Sequence, residues 1–129
     1  VRARKPSCRL YAAEVETGAP LRPSLAAGRP QVVDYRSSFV DGIGSKTVFP
    51  QMLERARRLL DGSLVATPDA VANAVRLLAE RNRVVAEGAG ACPVACALDA
   101  GAGPGHIVCV VSGGNIGLDR FAGLISGPG

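Results

Sequence analysis

Aromatic residues, histidine and long apolar runs are scarce in this sequence. Of its 129 residues, 4% are aromatic, none is tryptophan and one is histidine. The longest stretch without a formal charge, Ala100–Leu118, contains six glycines and a proline, whereas a membrane helix needs about 20 mostly apolar residues. The four cysteines form no Cys-x-x-Cys or Cys/His set, so zinc-site spacing is absent. These shortages exclude a zinc module and a membrane-spanning helix.

Excess charge is also small and confined to one end. The formal net charge is +4, and four basic residues within the first nine positions carry all of it. A nucleic-acid binder needs a basic face with aromatic or arginine readers on a defined element. The sequence therefore predicts neither a nucleic-acid nor a membrane partner. Because nothing resembles a secretory signal, we expect a cytoplasmic protein whose four cysteines are reduced thiols.

What is present is an average globular composition in which strand-like and helix-like segments alternate. Hydrophobic residues make up 47% and charged residues 20% of the chain, which is typical of one folded domain. The patterns predict strands at Cys8–Val15, Ser63–Thr67 and Ile107–Val111, with helices at Val48–Leu60, from Pro68 onward and at Gly88–Ala100. This alternation indicates an α/β fold, a three-layer αβα arrangement with a mostly parallel sheet. Three strands are few for such a sheet, so the sheet is expected to be incomplete.

The strongest local motif is Ser112-Gly113-Gly114-Asn115, which directly follows the β-branched run Ile107–Val111. Such a run is typical of a strand buried on both faces of a parallel sheet. Ligands of open α/β sheets bind beyond the carboxyl ends of the strands, where paired glycines admit a planar or anionic group. A tight turn would use the same glycines, and spacing alone leaves both interpretations open.

Two further glycine motifs fail the nucleotide fingerprints that they suggest. The segment around Lys46 lacks the glycines of a phosphate-binding loop, because Ser45 and Val40 stand at those positions. Gly88-Ala89-Gly90 fails the dinucleotide fingerprint, since Pro93 stands at the third glycine position. The carboxylate of Glu87, at the entry of the predicted helix, fits either a favourable helix-dipole interaction or a group beside a cofactor.

Taken in order, four segments resemble one family. Leu10–Glu14, Val40–Gly44, Val85–Ala91 and Val110–Asn115 look like the C-terminal part of the fold-type II pyridoxal-phosphate enzymes. Within that group they are most similar to threonine/serine dehydratases and serine racemase. The resemblance implies the tryptophan-synthase-β-like fold, pyridoxal 5′-phosphate (PLP) as cofactor and an amino-acid substrate.

The resemblance also implies roles for particular residues. Ser112 would hydrogen-bond the pyridine nitrogen of the cofactor, and Gly42 would lie against the ring edge through its backbone. Glu87 matches the carboxylate near the ring, while Gly113, Gly114 and Asn115 would shape the same wall. A neutral hydroxyl at the ring nitrogen suits elimination of the β-hydroxyl, which yields a 2-oxo acid and ammonia.

A divalent cation is implied at a second place. Glu14 and the carbonyl of Gly18 match positions that bind Mg²⁺ or Ca²⁺ in several relatives. An aspartate completes that set in those relatives, and Pro20 stands here instead. Hard oxygen ligands would suit either ion.

Two family segments are missing from the sequence. The Schiff-base lysine motif and the glycine-rich phosphate loop are absent, and the only lysines are Lys5 and Lys46. Residues 1–129 are therefore expected to be the C-terminal portion of the PLP-binding large domain, inactive alone. A complementing N-terminal polypeptide or a homo-oligomer is the expected partner. The alternatives are a non-catalytic, self-associating remnant and part of a serine racemase-like enzyme.

Overall fold

Helices and two strands alternate along the chain in the computed structural model, which describes residues 1–99 and 102–126. In chain order the elements are β1 (Tyr11–Val15), α1 (Leu21–Ala27), α2 (Pro50–Leu59), β2 (Gly62–Ala66), α3 (Pro68–Leu77), α4 (Gly88–Asp99) and α5 (Leu118–Ser126). A 3₁₀ turn precedes α1, and a π-helical turn over Leu78–Asn82 continues α3. The predicted elements other than the strand at Ile107–Val111 are found within a few residues of their predicted bounds, although Ala100, the predicted last residue of α4, lies outside the described residues.

Local signals explain where the helices begin and end. Both α2 and α3 start with proline at a first-turn position, where its fixed φ suits a helix and its missing N–H costs nothing. The Thr67 hydroxyl caps α3 by accepting the Ala70 N–H at 3.1 Å, as expected of an N-cap residue. Gly28 ends α1 with a φ of 68°, a conformation that glycine adopts without strain.

The two strands form a parallel pair with helices on both faces. The register runs from Tyr11 opposite Gly62 to Val15 opposite Ala66. Val15 and Ala66 are buried in the same cluster as α4, whereas Glu14, which points to the opposite face, accepts hydrogen bonds from the first residues of α1. Because α4 contacts both strands and α2 contacts α1, the layers are helix, sheet, helix. The predicted αβα architecture is confirmed.

The predicted strand at Ile107–Val111 is wrong as a sheet element. Within the described residues, its backbone makes no hydrogen bond to another segment, and the side chain of Val108 is 88% exposed. A strand is defined by a hydrogen-bonded neighbour, and its β-branched residues supply only the local preference. With no neighbouring strand in the described residues, the segment stays outside the sheet.

The basic leading segment contacts Asp61, which lies just after the end of α2. Arg2 forms an ion pair with the Asp61 carboxylate at 2.5 Å, and the same carboxylate accepts the Leu10 N–H at 2.7 Å. The Asp61 N–H in turn donates to the Leu10 carbonyl at 2.7 Å. The hydrogen bond from Leu10, followed by the Arg2 guanidinium, lowers the pKa of the Asp61 carboxyl. This exchange holds the chain in place just before β1 begins at Tyr11.

The core lies between the sheet, α3 and α4 and is built from small side chains. Val71 and Val75 on α3 and Cys92 on α4 are fully buried, and Ala95 on α4 is 1% exposed. Small residues let two helices approach closely, which explains the glycine, alanine and cysteine content of α4. No helix in residues 1–99 and 102–126 is long and apolar enough to cross a membrane.

Replacing Ser24 with alanine is expected to destabilise the fold by about 1–3 kcal/mol, the cost of a buried polar group that loses its partner. The fully buried Ser24 hydroxyl donates to the Pro20 carbonyl at 2.6 Å and accepts the Gln31 N–H at 2.9 Å. Chemical unfolding followed by circular dichroism measures the change. Ser126 is the matched control, because it donates to the carbonyl four residues earlier in the same way but is exposed; equal losses in both variants would contradict the argument.

Candidate functional site

Three segments that are distant in sequence meet at Glu87. Glu87 is half-buried and directly precedes α4. Its N–H donates to the Gly113 carbonyl at 3.0 Å. A Cβ built on Gly113 would collide with the Glu87 carboxylate, and one built on Gly42 would lie 3.7 Å from the same carboxylate. The structure thus brings together three of the residues predicted for the cofactor site.

Glycine is required at this junction because backbone approaches backbone. A Cβ on Gly90 would lie 2.6 Å from the Gly113 oxygen, and a Cβ on Gly114 would lie 2.6 Å from the Val85 oxygen. Both separations are shorter than a carbon and an oxygen tolerate without contact strain. The absence of a Cβ at these glycines therefore lets the segments around Glu87 pack in direct contact.

A cavity of about 330 Å³ opens beside this junction. Its lining residues come from the loop before α2, from the start of α4 and from the segment leading into α5: Phe39, Asp41, Glu87, Gly88 and Asn115–Arg120. The volume is at the small end of the range for ligand pockets, roughly 300–1,000 Å³. Asp41 and Arg120 form an ion pair at 3.6 Å, and both side chains are exposed at the rim.

Two polar side chains that line the cavity, those of Glu87 and Asn115, make no hydrogen bond with a described residue. The Ser112 hydroxyl likewise makes none, but Ser112 is not among the lining residues. Asn115 lines the cavity with Glu87, whereas Ser112 is exposed and precedes Gly113 directly. These groups are available to a ligand because no internal hydrogen bond occupies them.

Sequence reasoning missed two residues of this junction. Gly88 and Gly90 fail the dinucleotide fingerprint, yet a Cβ on Gly88 would lie 3.0 Å from the Val40 backbone, and Gly90 meets the backbone of Gly113. Their role is close packing of α4 against two loops. The signal available in the sequence was the run of small residues at the start of a predicted helix.

The residues predicted to bind a cation lie elsewhere, between β1 and α1. The Glu14 carboxylate accepts the Leu21 and Arg22 N–H groups at 2.8 and 2.9 Å and the Ser63 hydroxyl at 2.5 Å. The Gly18 carbonyl accepts the Ser45 N–H at 3.3 Å. Within the described residues no group of three or more histidine, cysteine, aspartate or glutamate side chains could hold a metal ion. Glu14 therefore serves as an N-terminal partner of α1, and the cation stays a prediction.

A larger cavity, of about 830 Å³, lies between α2 and β1. Its walls are mostly apolar and include Phe49, Met52 and Leu59, with Lys46 and Arg55 among the charged residues. Lys46 thus belongs to this cavity, and the described residues that line the cavity beside Glu87 include no lysine.

Comparison with known proteins identifies the family of this chain. The family described as pyridoxal-phosphate dependent enzyme matches residues 1–113. The L-threonine ammonia-lyase of Thermotoga maritima is 28% identical over 127 residues, which cover 98% of this chain and 32% of that protein.

Two solved structures share the backbone. The T.th. threonine deaminase superposes with a TM-score of 0.84 at 30% identity, covering 91% of this chain and 40% of that one. Maize serine racemase gives 0.82 at 27% identity, covering 94% and 40%. The chain therefore spans about a third to two fifths of the length of these relatives. With the ordered motifs, the shared backbone and a family match over residues 1–113, the chain belongs to the pyridoxal-phosphate-dependent enzyme family, in its fold-type II form.

Proposed function

We propose that this chain is the C-terminal portion of the catalytic domain of a PLP-dependent L-threonine/L-serine dehydratase, and that it has no activity alone. The observation that carries the proposal is the cavity at the Glu87 junction, which the Glu87 carboxylate lines together with Asn115. Both side chains are polar groups that a cofactor in this cavity can engage. The similarity to threonine ammonia-lyase and threonine deaminase chains supports the reaction class.

When bound, PLP supplies the electron sink that makes loss of the β-hydroxyl from a hydroxy amino acid possible. Ser112 would donate a hydrogen bond from its hydroxyl to the ring nitrogen, and such a neutral partner would not hold that nitrogen protonated. Gly42 would face the ring edge through its backbone, and Glu87 would lie near the ring. Gly113, Gly114 and Asn115 would shape the same side of the cofactor site.

The missing amine explains the expected inactivity. Covalent attachment of an aldehyde cofactor and transfer of the α-proton both depend on a lysine amine. The two lysines of this chain are Lys5, in the leading segment, and Lys46, in the wall of the larger cavity. The amino-acid substrate and its reaction therefore require the part of the domain that this chain does not span.

An activity assay tests the proposal. The purified chain with PLP should form no 2-oxobutyrate from L-threonine and no pyruvate from L-serine. The T.th. threonine deaminase carrying this chain in place of its matched segment should form 2-oxobutyrate. A folded chimera that binds no cofactor would contradict the proposed function, and steady product formation by the chain alone would contradict its inactivity.

The Ser112→Ala change in that chimera tests the role of the hydroxyl. Loss of one neutral hydrogen bond, about 0.5–1.5 kcal/mol, should raise the PLP concentration for half-saturation about 2- to 12-fold. Ser126→Ala is the matched control, since this serine is exposed on α5. Equal saturation curves for Ser112→Ala and the unmodified chimera would remove Ser112 from the cofactor site.

A racemase is the second candidate, favoured by the similarity to maize serine racemase. It would use the same wall, because the residues that decide between elimination and proton return on the opposite face of the cofactor lie outside this chain. Formation of D-serine from L-serine, measured beside pyruvate, distinguishes the two reactions.

A further inference from the structure

Helix α5 supplies part of the cavity wall beside Glu87 while burying none of its own residues. Residues 118–120, in its first turn, line the cavity together with Asn115, and no residue of Leu118–Ser126 is buried. The side chains that pack against the core are only partly buried: Phe121, Leu124 and Ile125. Because apolar packing has no preferred direction, these contacts do not by themselves fix the axis of the helix.

A guanidinium on α3 anchors the last turn of α5. One terminal nitrogen of Arg76 donates to the Leu124 carbonyl at 3.2 Å, and the other donates to the Asn73 side-chain oxygen at 3.1 Å. Carbonyls at the C-terminal end of a helix have no partner within the helix, and a positive charge there is favoured by the helix dipole. Asn73 stands three residues earlier on α3, so α3 supplies both the cation and the group that orients it.

The cost of this arginine shows that fold stability alone does not account for it. Its Nε is buried and has no hydrogen-bond partner within residues 1–99 and 102–126, and an unpaired buried donor lowers stability. An apolar side chain of similar length would pack against α5 without that cost. What the guanidinium adds is a hydrogen bond of defined length and angle at the end of α5.

We propose that Arg76 is a positioning residue for the candidate cofactor site: its bond to Leu124 fixes the direction of α5 and thereby the place of Asn115 and Arg120 in the cavity wall. The inference rests on the proposed function, because the cavity is the candidate cofactor site. With nine residues, α5 is a rigid rod roughly 14 Å long. A tilt at its last turn therefore displaces its first turn as well.

The first turn of α5 has only a weak polar anchor among the described residues. The Phe121 N–H donates to the Gly117 carbonyl at 2.9 Å, so the segment that holds Asn115 moves with the helix. The ion pair between Arg120 and Asp41 spans 3.6 Å between side chains that are both exposed, and exposed pairs contribute little. The place of Asn115 and Arg120 therefore depends on the opposite end of the helix.

Hydrogen exchange and PLP titration test the proposal in the T.th. threonine deaminase that carries this chain in place of its matched segment. Arg76→Met removes both donors, and loss of one hydrogen bond corresponds to a factor of about 2 to 12. The amides of residues 118–126 should exchange faster, and PLP should half-saturate at a higher concentration, by factors in this range. The urea midpoint should stay unchanged, because the unpaired Nε is removed together with the two bonds. Arg76→Lys, which keeps a donor, should return both values toward those of the parent.

Arg57→Met is the matched control. The Arg57 guanidinium also donates to a carbonyl at a helix end, that of Gly28 after α1, at 3.4 Å. Arg57 is not among the residues that line the cavity beside Glu87. Its replacement should change neither the exchange of α5 nor the PLP titration.

Changes confined to Arg76→Met and reversed in Arg76→Lys support the positioning role. Unchanged exchange in α5, or faster exchange with an unchanged PLP titration, overturns it. A lower urea midpoint with faster exchange throughout α3 and α4 also overturns it, because Arg76 would then be a residue of general stability. A folded parent chimera that binds no PLP rejects the proposed function, while the exchange comparison still decides whether Arg76 anchors α5.

Discussion

Replacing Gly90 with alanine is expected to lower the free energy of unfolding by about 1–3 kcal/mol, the usual cost of adding a methylene where packing is complete. The new Cβ would stand 2.6 Å from the Gly113 oxygen and 3.1 Å from the Gly113 nitrogen. Because both atoms belong to the backbone, α4 and the loop after Val111 must separate. Urea unfolding followed by circular dichroism measures the loss.

Gly123 provides a control of opposite sign. It also lies inside a helix, α5, but a Cβ there would meet nothing within 4 Å. Alanine should therefore stabilise the chain by about 0.5–1 kcal/mol through its helix preference alone. A gain in both variants would show that α4 and Gly113 are not in contact, and would remove the junction on which the candidate site depends.

The thiols of Cys92 and Cys96 are expected to react with iodoacetamide about 10³-fold or more slowly than Cys8. Both lie on one face of α4 with 0% and 1% exposure, so reagent reaches them only when the chain opens. An opening free energy of about 5 kcal/mol or more, typical of a folded domain, corresponds to this factor. The neighbouring Cys96 thiol, together with burial, also raises the pKa of Cys92, which leaves less of the reactive thiolate.

Peptide mass spectrometry after timed labelling separates the four cysteines. Half-buried Cys8 reports the labelling rate of a partly accessible thiol. In roughly 6 M guanidinium, which unfolds most proteins, all four cysteines should be labelled at similar rates. In the Gly90→Ala variant the labelling of Cys92 should accelerate about 5- to 150-fold, the equivalent of 1–3 kcal/mol. Rates for Cys92 and Cys96 within tenfold of Cys8 in the unmodified chain would contradict a packed α4.

Helix boundaries and the parallel pair were predictable because their signals are local. Proline at the first turns of α2 and α3, the Thr67 cap and the glycine after α1 act within a few residues of where they stand. The pairing of β1 with β2 follows from two short apolar segments separated by helices, an arrangement that favours parallel strands. Cys92 and Cys96 stand four residues apart, a spacing that places both on one face of a helix, and both are buried there.

The third predicted strand shows that local sequence signals do not determine strand pairing. Ile107–Val111 has the composition of a central strand, and the exposure of its side chains alternates from Val108 to Val111. Strand pairing, however, depends on a neighbour that can come from any distance in sequence, so composition alone could not decide it. Glu14 is a separate case. The resemblance implies a cation ligand there, which stays a prediction, while only the folded chain shows that its carboxylate accepts hydrogen bonds from the start of α1 and from Ser63.

By itself the sequence determined the family, the order of its four motifs and the local beginnings and ends of the helices, because these depend on residue type and short spacing. Only the tertiary structure decided that Glu87 meets Gly42 and Gly113 and that Gly90 packs against Gly113. It also decided that the segment before Ser112 pairs with no strand among the residues that the structure describes. Each of these findings depends on the distance between segments that are far apart in the chain. The packing of α4 against the sheet and the loops sets these distances, and the spacing of residues along the sequence does not reveal them.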